Sequence, residues 1–253
     1  MNYNSTNKKE DIQENQYSFP YHHLTHEVNG AIYTFRHLFW GLIHYTYIQV
    51  VIETIKKIEF ETLADIGCGE GRIIYELKKN KLAGKFYGYD ISDRAIKFAQ
   101  AFSPNTTFST HDITQSPLKQ PTDVIVSCEV IEHIEPSKVK NYIENIYHSL
   151  NPRGKIIITT PTTNVPVNKK HYQHFTADMF DSLLQGKFSD IKYTYLNQVN
   201  QKSRLLERLL ANRIYISNFK PLNKFILKHY KKHYLYADKT TGSRILVEAT
   251  KIN

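Results

Sequence analysis

The chain has 253 residues, of which 41% are hydrophobic and 23% are charged, so it can bury the core of one large globular domain. Its two cysteines, Cys68 and Cys128, exclude a disulfide-rich secreted scaffold, and the absence of a CxxC pair argues against a structural zinc site. The formal net charge of +9 at pH 7 favours anionic partners.

Residues 1–17 are predicted to form a disordered tail, because they are polar and bury almost nothing. They lack the apolar stretch of a signal peptide, which favours a cytoplasmic location. The longest uncharged run near the front, from Leu38 to Ile52, contains polar side chains and falls short of the ~20 apolar residues of a membrane-spanning helix. We therefore expect no transmembrane segment.

Residues 18–58 are predicted to form a helical lid that precedes the main fold. Apolar side chains recur at three- and four-residue steps over residues 29–57, which is the spacing of one helix face.

Short apolar strands then alternate with helical patterns through a core at residues 59–198. This alternation predicts an α/β fold with parallel strands, right-handed crossovers and helices on both faces. Helices are expected after the caps Ser92 and Ser137 and from Thr176, and a turn at Asn151–Gly154. The predicted strands are 62–66, 85–89, 106–110, 123–128, 155–160, 191–195 and 244–250.

Residues 199–240 are predicted to form a basic helical insertion, and the last strand lies within 241–253. Between Gln201 and Tyr234, nine basic residues accompany a single acid, Glu207. Apolar residues lie among these cations. The segment suits a substrate lid, a contact with an anionic membrane, an RNA groove or a solvated surface.

A glycine-rich turn follows the first core strand. Gly67, Gly69 and Gly71 lie between a strand and a helix, where glycine lets the backbone approach a ligand closely. The next strand ends in Asp90, whose carboxylate can accept hydrogen bonds from the ribose hydroxyls of a nucleoside. Arg72 stands where a dinucleotide fingerprint has its third glycine, which argues against a nicotinamide cofactor.

The run Asp65-Ile-Gly-Cys-Gly-Glu-Gly71 resembles the first motif of class I S-adenosylmethionine-dependent methyltransferases. Tyr87-Gly-Tyr-Asp90 resembles the second motif, and His111-Asp112-Ile113 resembles the acidic turn beside the adenine. The resemblance extends from Leu63 to the last strand. It implies a single Rossmann-like methyltransferase domain over 18–253, with a seven-stranded, mostly parallel sheet whose last strand is antiparallel.

The resemblance also implies how S-adenosylmethionine is held. The glycines would pass under its methionine part, Asp90 would hold the ribose, and Asp112 would meet the adenine amino group. Arg36 is the implied partner of the cofactor's carboxylate. The whole implied cofactor set is Asp65, Gly67, Cys68, Gly69, Asp90, Ile91, Asp112, Ile113, Cys128 and Arg36.

A second polar group follows the fourth core strand. Glu129, Glu132 and His133 have the i, i+3, i+4 spacing that places side chains on one face of a helical turn. Two carboxylates and an imidazole suit Mg²⁺ or another divalent ion. The Glu-x-x-Glu-His pattern resembles the metal ligands of two branches, the ubiquinone-pathway O-methyltransferases and the small-RNA 3′-terminal ribose methyltransferases. The second branch adds a downstream histidine, which His171 matches better than His174.

Two interpretations of this group stay open. With a metal, the ligands Glu129, Glu132, His133 and His171 would chelate vicinal hydroxyls of the acceptor and lower their pKa. Without a metal, His133 or His171 would act as the general base, and Glu129 would be a further catalytic residue. Many small-molecule methyltransferases carry Glu-His at this place and bind no metal.

We therefore expect an S-adenosylmethionine-dependent O-methyltransferase that acts on a hydroxylated small molecule, a sugar or glycan, or a lipid-linked precursor. One alternative is a metal-dependent 2′-O-ribose methyltransferase acting on an RNA 3′ end, although the Phe-Glu-Trp that follows the histidine in that branch is absent. The other alternative is a non-catalytic cofactor-binding module.

Overall fold

The computed structural model of the protein describes residues 26–33, 37–211 and 219–253. The predicted tail at 1–17 and the predicted cofactor ligand Arg36 lie outside these residues. Within them the chain forms one large sheet that carries helices on both faces, as the alternation of strands and helices predicts.

The first described element is a hairpin, and the prediction of a helix from residue 29 is wrong. β1 (His26–Val28) pairs with β2 (Ala31–Tyr33) in antiparallel register. Asn29 and Gly30 join them with φ of 50° and 79°. Two positive φ values are those of a type I′ turn, which an Asn-Gly pair favours. The helix begins later, as α1 (Leu38–Ile55).

Among the described residues, eight strands form the main sheet. They are β3 (Thr62–Ile66), β4 (Lys85–Asp90), β5 (Thr107–Thr110), β6 (Thr122–Cys128), β7 (Leu150–Pro161), β8 (Phe188–Gln198), β9 (Tyr236–Ala237) and β10 (Gly242–Lys251). Their order is β5-β4-β3-β6-β7-β10-β8-β9. The strands from β5 to β7 in this order run parallel, and β10 is antiparallel to both of its neighbours. This is the predicted Rossmann-like sheet with one more strand than the seven predicted, because the two-residue β9 extends the edge at β8.

The helices that follow α1 cover the sheet and form the insertion. They are α2 (Arg72–Lys79), α3 (Asp93–Phe102), α4 (Val139–His148), α5 (Ala177–Leu184), α6 (Gln201–Leu210) and α7 (Lys220–His233). The predicted caps of α3 and α5 are confirmed, since the hydroxyls of Ser92 and Thr176 accept hydrogen bonds from the N–H groups of the first turn. Ser137 caps nothing, because it lies in a 3-10 turn, Pro136–Lys138, that precedes α4.

The predicted turn at Asn151–Gly154 is a bulge inside β7. Thr122 pairs with Leu150 while Val124 pairs with Lys155, so β7 holds extra residues opposite β6. The strand therefore begins at Leu150 and continues through the bulge, because pairing with β6 resumes on its far side.

Apolar side chains bury both faces of the sheet. One core includes side chains of α4 and α5, and the other includes side chains of α1, α2 and α3. A third cluster contains Leu42, Leu227 and Tyr230 and joins α1 to α7. The described parts of the basic insertion are mainly the helices α6 and α7, and α7 packs on the N-terminal elements. No helix among the described residues has both the length and the apolar character needed to span a bilayer.

Candidate active site

The glycine-rich turn joins the carboxyl end of β3 to α2. Gly67, Gly69 and Gly71 have φ of 69°, 52° and 78°, in the left-handed region that favours glycine. A Cβ atom on Gly67 would lie 2.3 Å from Cγ2 of Val130. The turn therefore needs glycine at this position for its backbone conformation and for its packing.

Asp90, at the end of β4, braces this turn. Its Oδ2 accepts a hydrogen bond from the Gly69 N–H at 2.9 Å, and its Oδ1 accepts one from the Ser92 N–H at 2.9 Å. The predicted ribose ligand is thus held beside the glycine turn by the backbone on either side of it.

The three residues predicted to contact the adenine, Ile91, Asp112 and Ile113, follow the ends of β4 and β5. Ile91 is 66% exposed, whereas Ile113 is buried. Asp112 accepts hydrogen bonds from the N–H and the hydroxyl of Thr114, at 2.9 and 2.7 Å. None of these three predicted residues lines the cleft described next.

A cleft of about 390 Å³ opens beside the glycine turn. The turn and the ends of β3 and β6 form one side, and α1 contributes Trp40 and Tyr47 to its wall. The predicted site residues that line it are Asp65, Gly67, Cys68, Gly69, Cys128, Glu129, Glu132, His133 and His171. Both cysteines are free thiols, so they form part of the wall and not a disulfide.

Asp65 lies buried where β3 enters the turn. It is 1% exposed, and its Oδ2 has no hydrogen-bond partner among the described residues. Burial, together with the nearby carboxylates of Asp90 and Glu70, raises the pKa of Asp65 well above its usual value. A buried carboxylate oxygen that lacks a donor is suited to a cationic or N–H group of a ligand.

Glu132, His133 and His171 converge on the opposite side of the cleft. Their ligand atoms all lie within 4.8 Å of one another. Glu132 is fully buried, and its Oε2 accepts a hydrogen bond from the Thr160 hydroxyl at 3.0 Å. Its Oε1 has no hydrogen-bond partner among the described residues and lies 4.0 Å from Nε2 of His133. Burial, together with the carboxylate of Glu129, raises the pKa of Glu132 well above its usual value.

Hydrogen bonds fix the tautomers of the histidines. Nδ1 of His133 lies 3.2 Å from the carbonyl of Lys170, and Nδ1 of His174 lies 3.1 Å from the carbonyl of Thr162. Since carbonyls only accept, we assign the proton to Nδ1 in both rings. Nε2 of His174 then accepts from Nδ1 of His171 at 2.8 Å.

His171 therefore presents the lone pair of its Nε2. The side-chain amide of Asn168 lies 3.0 Å from this nitrogen. Burial, helped by His133, lowers the pKa of His171 to about 3, so the ring is neutral at physiological pH. His174, which matches the family pattern less well than His171, is the residue that orients it.

Glu129 turns away from this cluster. It follows β6 with φ of 57°, and its Oε1 accepts a hydrogen bond from the Thr159 hydroxyl at 3.2 Å. Its Oε2 accepts from Nε of Arg244 at 2.9 Å. The structure therefore gathers three of the four predicted metal ligands and pairs the fourth with Arg244, a cleft residue to which no sequence motif points.

Residues 60–225 match the family described as a methyltransferase domain. The chain belongs to this family. The methyltransferase is 29% identical over 107 residues to a tRNA N(3)-cytidine methyltransferase of Xenopus tropicalis, covering 38% of this chain and 32% of that protein. It is 29% identical over 148 residues to protein 235L of Invertebrate iridescent virus 6, covering 54% of each chain. These matches span about a third and about half of the two relatives' lengths.

Solved structures share the fold of the methyltransferase. The methyltransferase domain of the bacterial protein CtHen1 has a TM-score of 0.59 at 14% identity, covering 83% of this chain and 100% of that chain. The N-methyltransferase NodS from Bradyrhizobium japonicum WM9, solved with S-adenosyl-L-homocysteine, has a TM-score of 0.57 at 13% identity, covering 84% and 88%. At these identities the likeness establishes the fold alone.

A third solved structure shares the fold. Another structural neighbour, an S-adenosylmethionine-dependent methyltransferase from Archaeoglobus fulgidus, has a TM-score of 0.55 at 17% identity, covering 81% of this chain and 94% of that chain. The glycine turn, braced by Asp90, stands at the carboxyl ends of the strands, where open α/β sheets bind their ligands.

Proposed function

We propose that the methyltransferase transfers the methyl group of S-adenosylmethionine to a hydroxyl oxygen of a small molecule, a glycan or a lipid-linked precursor. The observation that carries this proposal is the cluster of Glu132, His133 and His171, which faces the glycine turn across one cleft. A hydroxyl is a weak nucleophile near neutral pH and must lose its proton as the methyl group arrives. The cluster supplies groups that can hold the oxygen and accept that proton.

We infer that the donor lies along the glycine turn. Oδ2 of Asp65, which has no hydrogen-bond partner within the described part of the chain, would accept hydrogen bonds from the donor's ammonium group, and Asp90 would hold its ribose. The exposed side chain of Ile91 offers an apolar face to the adenine. The remaining proposed contacts are Gly67, Cys68, Gly69, Asp112, Ile113, Cys128 and Arg36.

A divalent metal ion suits the same cluster. Oε1 of Glu132 has no hydrogen-bond donor among the described residues, and the Nε2 lone pair of His171 would bind the ion in exchange for its hydrogen bond from Asn168. Glu132, His133 and His171 would hold the ion, and Glu129 would join them only by leaving Arg244. A carboxylate with two imidazoles suits Mn²⁺, Fe²⁺ or Co²⁺ better than Mg²⁺. Such an ion, when bound, holds vicinal hydroxyl oxygens and lowers their pKa.

Without a metal, an imidazole takes the hydroxyl proton directly. The C–S bond of the sulfonium breaks as the C–O bond forms, the proton passes to Nε2 of a histidine, and S-adenosylhomocysteine leaves. The pKa of about 3 makes His171 a weak base. His133 is therefore the base in this version of the mechanism, and His171 contacts its ring at a centroid distance of 4.8 Å.

Radiolabelled methyl transfer to a panel of catechols, glycans and RNA, with and without a chelator, tests the proposal. Transfer to a hydroxylated small molecule or glycan supports it, and restoration by Mn²⁺ after chelation supports the metal. Chelator-insensitive activity that survives in Glu132→Ala contradicts a role for the cluster. Glu135→Ala, on the adjacent turn beside Lys138, is the matched control.

A second candidate is 2′-O-methylation of an RNA 3′ end, for which the same cluster could hold the terminal diol. The cations of α6 and α7 favour it, because they would bind phosphates. It predicts that binding falls steeply with salt and that oxidation of the terminal diol abolishes transfer. Transfer to RNA that survives diol oxidation contradicts it.

We also propose that α6 and α7 contact an anionic membrane. Leu205, Leu209 and Phe225 are 59%, 63% and 65% exposed, and they lie among the cations of the insertion. Apolar side chains flanked by Lys and Arg match a headgroup boundary better than an RNA backbone. Cosedimentation with phosphatidylserine vesicles, but not with phosphatidylcholine vesicles, is expected. Retention by neither vesicle, or binding to an RNA oligonucleotide alone, contradicts the membrane contact.

A further inference from the structure

Arg244 stands at the start of β10, on the wall of the cleft. Its Nε donates to Glu129 at 2.9 Å, and its guanidinium carbon lies 4.9 Å from the centroid of the Tyr47 ring. The side chain is 20% exposed. Arg244 lies 115 residues after Glu129 in the sequence. It reaches the site because β10 follows the insertion and runs antiparallel to β7.

The ion pair uses only part of the guanidinium. Nη1 and Nη2 donate no hydrogen bond to any of the described residues, and the side chain lines the cleft. Glu129 is itself fixed on two further sides, because its N–H donates to the carbonyl of Thr159 and its Oε1 accepts from the hydroxyl of the same residue. The pair therefore holds the fork of Arg244 in place while its terminal N–H groups remain available to a ligand.

The position of Arg244 separates it from the donor. In the sheet, β10 is three strands from β3, which is roughly 14 Å at the usual strand spacing. The proposed donor site follows the turn after β3 and extends to Cys128 at the end of β6, whereas Arg244 lines the cleft together with Glu132, His133 and His171. Lys170 lines the same side of the cleft. A ligand of Arg244 on the histidine side of the cleft is therefore assigned to the acceptor, and the binding test below distinguishes it from the donor.

We propose that Arg244 binds an oxyanion, a carboxylate or a phosphate, carried by the acceptor, so that the substrate is a small hydroxylated anion. A planar guanidinium with two available N–H groups grips such an oxyanion in bidentate fashion. This inference rests on the proposed O-methylation, since it places the acceptor's hydroxyl at the histidine cluster. It makes Arg244 a specificity residue, held in position by Glu129.

The kinetic test compares protocatechuate with its neutral amide. Wild type is expected to favour the acid, and Arg244→Gln is expected to raise the KM for the acid by about 10- to 100-fold, with little change in kcat or in the amide's KM. Arg244→Lys, which keeps a charge for Glu129, should retain part of the preference. Arg153→Gln, in the exposed bulge of β7, is the matched control. An unchanged preference in Arg244→Gln overturns the proposal.

A binding test keeps this inference separate from the proposed reaction. Benzoate and inorganic phosphate are titrated into wild type and Arg244→Lys in the presence of S-adenosylhomocysteine. Binding by wild type that weakens in the variant supports the inference, even when no acceptor is methylated. The inference is overturned if folded wild type binds neither anion. It is also overturned if Arg244→Lys loses S-adenosylhomocysteine binding but not anion binding, or if only the binding of an RNA oligonucleotide depends on Arg244. Thermal unfolding verifies that each variant is folded. If Glu129 without its cation destabilises Arg244→Gln, the double variant Glu129→Gln/Arg244→Gln replaces it.

Discussion

Replacing Glu132 by glutamine is expected to make the protein more stable and less active at the same time. The side chain is 0% exposed, and its Oε1 receives no hydrogen bond from the described residues. Burial, together with the carboxylate of Glu129, disfavours the charged form and raises the pKa of Glu132. A carboxylate at this position therefore weakens the fold and needs a functional reason.

The size of the effect follows from that burial. A buried polar group without a partner costs about 1–3 kcal/mol, and a charged one costs more. Glutamine keeps the hydrogen bond from Thr160 and removes the charge. We expect the free energy of unfolding to rise by about 1–2 kcal/mol, which raises Tm by about 2–8 °C in a domain of this size. Loss of the carboxylate from the cluster should lower kcat about 100-fold.

Thermal unfolding and methyl transfer, measured on the same preparations, test both halves of this prediction. The control is Glu135→Gln, whose ion pair with Lys138 spans 3.5 Å at the surface and should change stability by no more than about 1 kcal/mol. Addition of Mn²⁺ is expected to raise the Tm of wild type more than that of Glu132→Gln. A Glu132→Gln protein that is less stable than wild type, yet fully active, would show that Glu132 neither weakens the fold nor takes part in methyl transfer.

Three further substitutions test the donor side and the histidine pair. Gly67→Ala is expected to weaken S-adenosylmethionine binding by about tenfold, because its Cβ would lie 2.3 Å from Val130; calorimetry measures it. Asp65→Asn should raise the Kd for the donor by about tenfold and also raise Tm, since it removes a buried carboxylate whose Oδ2 has no partner among the described residues. His174→Ala should lower kcat more than it changes the donor's KM, because His171 loses the ring that holds its Nδ1 at 2.8 Å.

Matched variants separate these effects from general damage. Gly186 has φ of 74°, and nothing lies within 4 Å of a Cβ atom built there. Gly186→Ala therefore carries the same strain of a positive φ as Gly67→Ala but no overlap with a neighbouring side chain, and it should leave donor binding unchanged. His174→Gln, which can still present an acceptor, should recover part of the activity. Unaltered donor binding in Gly67→Ala or Asp65→Asn, or wild-type kcat in His174→Ala, contradicts the corresponding role.

Most of the core could be predicted because its signals are local. β3 has its predicted limits, since Leu63–Ile66 are buried on both faces of the sheet and glycine ends the run. The hairpin at His26–Tyr33 was missed although Asn29-Gly30 is a strong turn signal. Apolar spacing favours a helix there, and no local signal contains the distant contact that the hairpin makes, a hydrogen bond from the Asn223 side chain to the carbonyl of Ile32.

In the candidate site, too, some residues could be predicted from local sequence signals and others could not. Glu132 and His133 are neighbours, and His171 reaches them in the loop that follows β7, so the spacing and the strand order place all three at one edge of the sheet. The spacing also placed Glu129 on that face, but its left-handed backbone at φ of 57° turns the side chain toward Arg244. No local pattern contains that pairing, because it depends on the antiparallel entry of β10.

Transfer of the methyl group from sulfur to a hydroxyl oxygen is tested by following the methyl carbon itself. S-adenosylmethionine labelled with ¹³C in its methyl group is incubated with the best acceptor of the panel, and the product is analysed by NMR and mass spectrometry. We expect a single labelled methyl group on oxygen, equimolar S-adenosylhomocysteine, and no product from Glu132→Ala. A labelled methyl group on nitrogen or carbon would contradict it.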